Sequence, residues 1–149
     1  IAGFKNSHKL YAISTFRERM YQFEIEPKTG ILFKTASYPT FMFGDNITTD
    51  KEGNIWLAGH ISPASFLTHA RFKRVVSPSK IVVFPSMQNR ELIPYPAKFQ
   101  NIGLEVFRDS GSFLSTSSVA VFYHQHLLLV GTVFEPYILK CDLNKKFTD

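Results

Sequence analysis

Residues 44–60, GDNITTDKEGNIWLAGH, restrict the possible folds of this chain more than any other stretch. Asp45 and Asn46 place a carboxylate beside an amide oxygen, a mixture of hard donors that calcium accepts and that zinc uses less often. A polar turn follows, in which Gly53 can adopt positive φ, and it leads into the apolar residues IWLA. This order predicts a metal-binding loop that leads into a β-strand, with His60 at the far end of that strand.

The composition favours a soluble, β-rich domain. The chain has 149 residues, of which 44% are apolar, so a disordered chain is not expected, and no apolar run is long enough for a membrane span. Its 15 Phe and 6 Tyr suit the half-buried surfaces of strands. The net charge is +5, but the cations are scattered apart from Arg71, Lys73 and Arg74, so nucleic-acid binding is not expected.

Three stretches of the chain resemble the paraoxonase/arylesterase family, whose members are calcium-dependent lactonase propellers. The first is DNITTD followed by GNIWLAGH, where the family has an Asp-Asn-Ile loop that supplies two ligands of the catalytic calcium. The second is STSSVAVFYHQHLLLVGTVF at residues 115–134, and the third is YILKCDL at residues 137–143. The similarity extends more loosely over nearly the whole chain.

The resemblance implies an all-β fold in which residues 1–149 form the C-terminal half of a single six-bladed β-propeller domain. Blades of four short strands take about 40 to 50 residues each, so the chain would supply about three. The N-terminal half, with the remaining calcium ligands and the family's His pair, would precede Ile1. Because half a ring leaves open strand edges, we expect this segment to fold stably only with the missing half and to be inactive alone.

Pairs of apolar, alternating segments support the blade interpretation. Each pair is separated by a gap that a turn can bridge, except in the second, where residues 61–78 form an insertion. The predicted strand pairs are 9–14 with 20–26, 55–58 with 80–84, and 127–132 with 137–143. Within the insertion, only residues 66–72 are expected to form a short helical turn.

The resemblance assigns Asp45 and Asn46 as calcium ligands, which makes calcium the expected cofactor. The alternative is that both are turn residues, since Asp and Asn favour loops. Asn46 also opens a glycosylation sequon, Asn-Ile-Thr. The two roles conflict, because a buried metal ligand cannot carry a glycan, and the ligand interpretation is preferred. Asp50 is expected to be a turn or strand-entry residue and not a ligand.

The resemblance also places His60, Ser118, Val133 and Phe134 near the wall of a substrate pocket. Phe66 and Phe72 of the insertion are further candidates for this apolar wall. The alternative for His60 is a hydrogen-bonded loop histidine. The catalytic base is unknown and is expected upstream of Ile1.

Two other polar motifs are interpreted as structural. His124 and His126 have the spacing of two metal ligands on one strand face, but no third His or Cys accompanies them, so an exposed turn is favoured over a zinc site. Ser117 and Ser118 lack the Gly-x-Ser-x-Gly setting of a nucleophilic serine, which argues against a serine hydrolase.

Cys141 is the single cysteine of the chain. Taken alone, it fits a buried apolar position or a protein of a reducing compartment. The resemblance instead implies a disulfide bond to a cysteine upstream of Ile1, which would close the propeller ring. It also implies secretion, or residence in a lumen or on the extracellular side of a membrane.

The function that the resemblance implies is calcium-dependent hydrolysis of lactones and aryl esters, with calcium acting as a Lewis acid on the substrate carbonyl. The alternative is a non-catalytic propeller that binds membrane proteins or assists their assembly. The expected partners are a small lactone or ester and the missing half of the same chain. The apolar and basic residues 61–78 could either cover the pocket or contact a membrane or lipoprotein surface.

Overall fold

The computed structural model describes residues 1–4, 7–86, 102–124 and 126–144, in which the strands form three antiparallel sheets. The first sheet contains β1 (Ala2–Gly3), β2 (Lys9–Ser14), β3 (Arg19–Ile25) and β4 (Leu32–Pro39). The second contains β5 (Phe43–Thr49), β6 (Ile55–His60), β7 (Ser79–Phe84) and β8 (Leu104–Asp109). The third contains β9 (Ser117–Tyr123), β10 (Leu127–Thr132) and β11 (Leu139–Asp142). A 3₁₀ turn (Thr15–Arg17) follows β2, and the helix α1 (Pro63–Arg71) connects β6 to β7.

Each sheet is a meander in which strands pair in sequence order, as in the blades of a propeller. The predicted all-β fold with about three blades is therefore confirmed. Among the described residues, no helix has the length and apolar character needed to span a membrane.

The second sheet lies between the other two and is covered on both faces, so every residue of β6 and β7 is buried. Along β6, Trp56 and Ala58 belong to the core shared with the third sheet. Ile55 and Leu57 belong to the core shared with the first sheet. Successive side chains point to opposite faces of a strand, so an uninterrupted apolar run is what two-sided burial requires.

The first strands of the three sheets lie side by side, since β1 contacts β5 and β5 contacts β9. Asn46 Nδ2 donates to Ser118 O at 3.1 Å, and Thr48 Oγ1 donates to Ala120 O at 2.6 Å. Thr48 lies two residues after Asn46, and its partner Ala120 lies two residues after Ser118. The strands β5 and β9 therefore run in the same direction. Both strands therefore begin at one end of the structure, which we call the site end.

Two local predictions were wrong. Asp45 and Asn46 were expected on a loop, but they lie within β5, where the following Ile and Thr residues are β-branched and pair with β6. The insertion was expected to form only a short turn, but α1 spans nine residues. Its start has a clear cause, since the Ser62 side chain caps the Ser65 N–H at 3.2 Å and proline occupies the first turn.

The turn between β5 and β6 follows the prediction. Gly53 has a φ of 84°, and Asp50 is a structural turn residue. The Asp50 carboxylate accepts hydrogen bonds from the Asn54 backbone and side chain, both at 2.8 Å, and from Trp56 Nε1 at 2.7 Å. These bonds occupy both carboxylate oxygens and fix the start of β6.

Candidate functional site

A shift in strand register brings Asp45 and Asn46 into an unusual position on β5. Gly44 lies opposite Gly59 and Asn46 lies opposite Ala58, so Asp45 is an extra residue on its strand. In a regular strand, neighbouring side chains point to opposite faces of the sheet. A bulge of this kind redirects side chains, and bulges are frequent beside active sites.

The side-chain amide of Asn46 connects the second sheet to the third. Its Nδ2 lies 3.1 Å from Ser118 O and 3.2 Å from Ser118 Oγ. Because the nitrogen is directed at Ser118, the amide oxygen at the other end of the group is left as the atom that can bind a metal. The same contact places Ser118, a predicted pocket residue, directly beside Asn46.

His60 lies at the site end of β6, where it pairs with Phe43, and only 5% of its surface is exposed. Burial lowers the pKa of His60 below its ordinary value, and the nearby Asp45 carboxylate opposes this shift by raising it. The imidazole is therefore neutral at neutral pH. Its buried Nδ1 has no hydrogen-bond partner within the described part of the chain, so it can bind a polar group that enters the site.

Aromatic side chains from α1 and from the segment after β10 form a wall next to His60. The Phe66 ring stacks on the His60 ring with 4.2 Å between centroids, and it lies 5.8 Å from the Phe134 ring. The His69 ring meets the Phe134 ring edge-on at 5.4 Å. The other two predicted wall residues, Val133 and Phe72, are both 60% exposed and take no part in these ring contacts.

Residues in the left-handed conformation precede both strands of the site. Phe41 has a φ of 50° shortly before β5, and Thr116 has a φ of 60° immediately before β9. The conformation is unfavourable for a β-branched residue such as Thr116. It is held by a buried hydrogen bond, since Thr116 Oγ1 donates to Ser115 O at 2.6 Å, and the same oxygen accepts from Thr132 Oγ1 at 2.8 Å. Such strain is common at functional sites.

Asp109 is a buried residue near the site that sequence reasoning missed. Its carboxylate accepts hydrogen bonds from Ser112 Oγ at 2.9 Å and from the N–H groups of Phe113 and Leu114, both at 3.0 Å. Burial alone would raise the pKa of Asp109, but these hydrogen bonds together lower it. The carboxylate thereby orders the connection that leads into β9. The sequence Asp-Ser-Gly-Ser is a turn signal that could have identified this role.

The donor chemistry of Asp45 and Asn46 fits calcium in kind, because both offer hard oxygen atoms. The Asp45 carboxylate has no hydrogen bond from any residue that the structure describes, so its oxygens are available. Calcium takes six to eight oxygen ligands, however, and these two side chains supply a part of that number. No group of three or more His, Cys, Asp or Glu side chains suited to a metal occurs among the described residues.

Two clefts lie away from these residues, at the opposite end of β5 and β9. One, of about 750 Å³, is lined by Phe4 and by residues 49–52 and 122–124. The other, of about 460 Å³, lies between the first and second sheets and is lined in part by Tyr11, Tyr38 and Phe84. Neither includes Asp45, Asn46 or His60, so we place the candidate site by its chemistry and not by cleft volume.

The other residues considered in the sequence, His124, His126 and Cys141, lie in a turn or in the core. His124 and His126 lie in the turn between β9 and β10, as predicted, and His126 Nε2 is 3.9 Å from Asp142 Oδ1. Gln125 between them lies outside the described residues. Cys141 is buried in the core between the second and third sheets, and burial followed by the charge of Asp109 raises the pKa of its thiol. Its disulfide bond to an upstream cysteine stays a prediction.

A comparison with protein families gives an independent finding. The family model described as Arylesterase matches residues 4–143, which include nearly all of the three sheets, α1 and every predicted site residue. A search of curated proteins found no match.

Proposed function

The chain belongs to the arylesterase family, and on this basis we propose that it takes part in calcium-dependent hydrolysis of lactones and aryl esters. Family membership supports a hydrolase of arylesterase type. The finer proposal depends on one observation, the oxygen pair of Asp45 and Asn46 on the β5 bulge beside a buried, neutral His60. We further propose that residues 1–149 are half of a six-bladed ring on the extracellular or lumenal side.

Each residue of the site has a distinct role in this proposal. Asp45 and Asn46 hold the metal through side-chain oxygens, together with ligands from outside the described residues. Bound there, calcium would supply Lewis-acid activation of the ester carbonyl. The unpaired Nδ1 of His60 hydrogen bonds to the substrate or to water. Phe66 and Phe134 cover the apolar acyl or aryl group and exclude water from it.

Asn46→Ala in the full-length protein tests the proposal. The substitution removes one ligand oxygen. We expect kcat/KM for phenyl acetate and for a small lactone to fall at least about 100-fold, because losing a residue that only hydrogen bonds to a metal ligand already costs about 10- to 100-fold. Thr48→Val is the matched control, because it removes another side-chain hydrogen bond from β5 to β9, the 2.6 Å bond to Ala120 O, and keeps Asp45 and Asn46. Unchanged turnover by Asn46→Ala at saturating calcium would refute the assignment.

A second candidate function is a binding module, and an exposed surface on the insertion favours it. Residues 61–78 contain no acidic side chain, and their exposed part combines apolar and cationic groups. These are Leu67, Phe72, Val75 and Val76, with Arg71, Lys73 and Arg74. We propose that this apolar-basic surface contacts an anionic membrane or lipoprotein surface, since such surfaces attract clustered cations and accept apolar side chains. This binding role is compatible with the enzyme proposal.

A further inference from the structure

The cleft between the first and second sheets, which we call the inter-sheet cleft, has walls that are rich in aromatic rings. Its volume of about 460 Å³ lies within the roughly 300 to 1,000 Å³ that is usual for small-molecule sites. Four aromatic side chains line it, namely Phe4, Tyr11, Tyr38 and Phe84. Both sheets belong to this chain, and none of Asp45, Asn46 and His60 lines the cleft. The inter-sheet cleft is therefore a second place at which a small molecule can bind.

The four rings of the cleft form two pairs, and neither pair is stacked. The Phe4 and Tyr11 rings lie 6.0 Å apart between centroids, with their planes at 86°. The Tyr38 and Phe84 rings also lie 6.0 Å apart, with their planes at 60°. Tyr38 Oη donates to Gln22 Oε1 at 3.0 Å, which fixes the position of this ring. Because the rings of a pair do not cover each other, ring surface remains to form the walls of the cleft. Aromatic faces attract cations, and cages of such rings bind quaternary ammonium groups.

Two side chains of opposite charge also line the inter-sheet cleft. These are Glu52, in the turn after β5, and Lys9, at the start of β2, and both are exposed. Neither side chain forms an ion pair with any residue that the structure describes. A bare cation would be attracted by Glu52 and repelled by Lys9. A ligand that carries both a positive and a negative group complements the two side chains together.

We propose that the inter-sheet cleft binds a soluble zwitterion in which a trimethylammonium group lies close to an anionic group, as in a betaine or a phosphocholine ester. The aromatic rings and Glu52 hold the ammonium group, and Lys9 pairs with the anion. The methyl groups bury apolar surface against the rings while their shared charge interacts with the ring faces. Binding there does not depend on ester hydrolysis, because the residues of the candidate site lie elsewhere.

The position of the cleft favours a soluble ligand over the headgroup of a membrane lipid with the same chemistry. The turn after β5 and the end of β7 border the cleft, whereas residues 61–78 follow β6 at the site end. A membrane that contacts the apolar-basic surface would therefore lie at the opposite end of the second sheet from the cleft. A headgroup in that membrane could not enter it.

Calorimetric titration of the full-length protein with glycine betaine and with glycerophosphocholine tests the proposal. We expect at least one of them to bind with a Kd below about 1 mM. Phe4→Leu and Tyr38→Leu keep apolar volume but remove a ring face, so each should raise Kd about 2- to 30-fold, the range of one cation–π contact. Tyr21→Leu is the matched control, because Tyr21 makes an edge-to-face pair with Phe23 but lines neither cleft.

Substitutions of the two charged residues separate their roles. Glu52→Gln should weaken binding both of the zwitterion and of choline, which has no anionic group. Lys9→Gln should weaken binding of the zwitterion and leave choline binding no weaker. Both residues are exposed, so both variants should retain the fold and an unchanged turnover of phenyl acetate. Because the readout is binding, loss of the esterase proposal would leave this test intact.

Four results would overturn the proposal. Equal affinity for glycerophosphocholine and glycerophosphoethanolamine would exclude the aromatic cage, since the two ligands differ only in the three methyl groups. Unchanged Kd in both ring variants would exclude it as well. No detectable heat with about 10 mM of either zwitterion would exclude the site. Sedimentation with phosphatidylcholine vesicles, without binding of either soluble zwitterion, would exclude a soluble ligand.

Discussion

Gly44 offers a direct test of how closely the site strand packs against the first sheet. A Cβ atom at this position would lie 2.1 Å from Ile13 Cδ1, 2.9 Å from Leu57 Cδ1 and 3.1 Å from Ile13 Cγ1. Carbon atoms in favourable contact are about 3.5 to 4.0 Å apart, so Gly44→Ala must displace at least one of these side chains. Overpacking of this kind costs about 1 to 3 kcal/mol of folding free energy.

Ile13→Val provides the matched background, because it deletes the Cδ1 atom that lies nearest to the new methyl group. Alone, this substitution should destabilise the protein by about 0.5 to 1.5 kcal/mol. Combined with Gly44→Ala, it removes the 2.1 Å clash and leaves contacts of 2.9 Å and 3.1 Å. The two changes should therefore be less than additive, with a coupling of about 1 kcal/mol.

The measurement is urea denaturation of the parent, both single variants and the double variant of the full-length protein. We expect Gly44→Ala to cost less free energy of unfolding in the Ile13→Val background than in the parent, and to cost less esterase activity there, since Gly44 immediately precedes Asp45. A stability change below about 0.5 kcal/mol for Gly44→Ala would refute the packing argument, as would the same loss in both backgrounds.

Two other predictions follow from the electrostatics and the surface. The free energy of unfolding should fall as pH drops below about 6.5, because burial lowers the pKa of folded His60 and the unfolded chain binds the proton first. His60→Gln should reduce this dependence between pH 5 and 7, and an identical slope in the variant would contradict the assignment. The apolar-basic surface should bind liposomes that contain phosphatidylserine more tightly than neutral ones, and Leu67→Ser with Phe72→Ser should weaken that binding. Equal sedimentation of parent and variant with anionic liposomes would exclude this role.

Among the strands that the sequence predicted, the central ones are those whose apolar character reflects complete burial. Residues 55–58 and 81–84 form uninterrupted apolar runs because the second sheet is covered on both faces. The strands β5 and β8 were not predicted because polar residues interrupt them, and β9 was not predicted because it begins with two serines. In β5, polar side chains form hydrogen bonds to the neighbouring strand β9 in place of apolar contacts. The need for these hydrogen bonds can be seen only when the sheets are packed together.

One part of the site could be predicted from the sequence, and another part could not. Asp45 and Asn46 are adjacent in the chain, so their donor chemistry can be recognised without a structure. The contact between His69 and Glu135 joins residues far apart in sequence, and it exists only because α1 packs against the segment after β10. A histidine in an insertion carries no signal that distinguishes such a contact from exposure to solvent.

At the site end, unusual backbone conformations lie at the edge of a rigid sheet, and this arrangement explains how the site keeps its geometry. The strands β6 and β7 are buried throughout, so the second sheet resists displacement. The unusual backbone at its edge, the β5 bulge and the left-handed Thr116, would relax if its surroundings were mobile. A buried hydrogen bond to Ser115 O holds Thr116, and Asn46 holds the bulge against β9. The polar groups of the site are therefore positioned by contacts between sheets, which makes the boundary between the second and third sheets as important to the site as the residues that face a substrate.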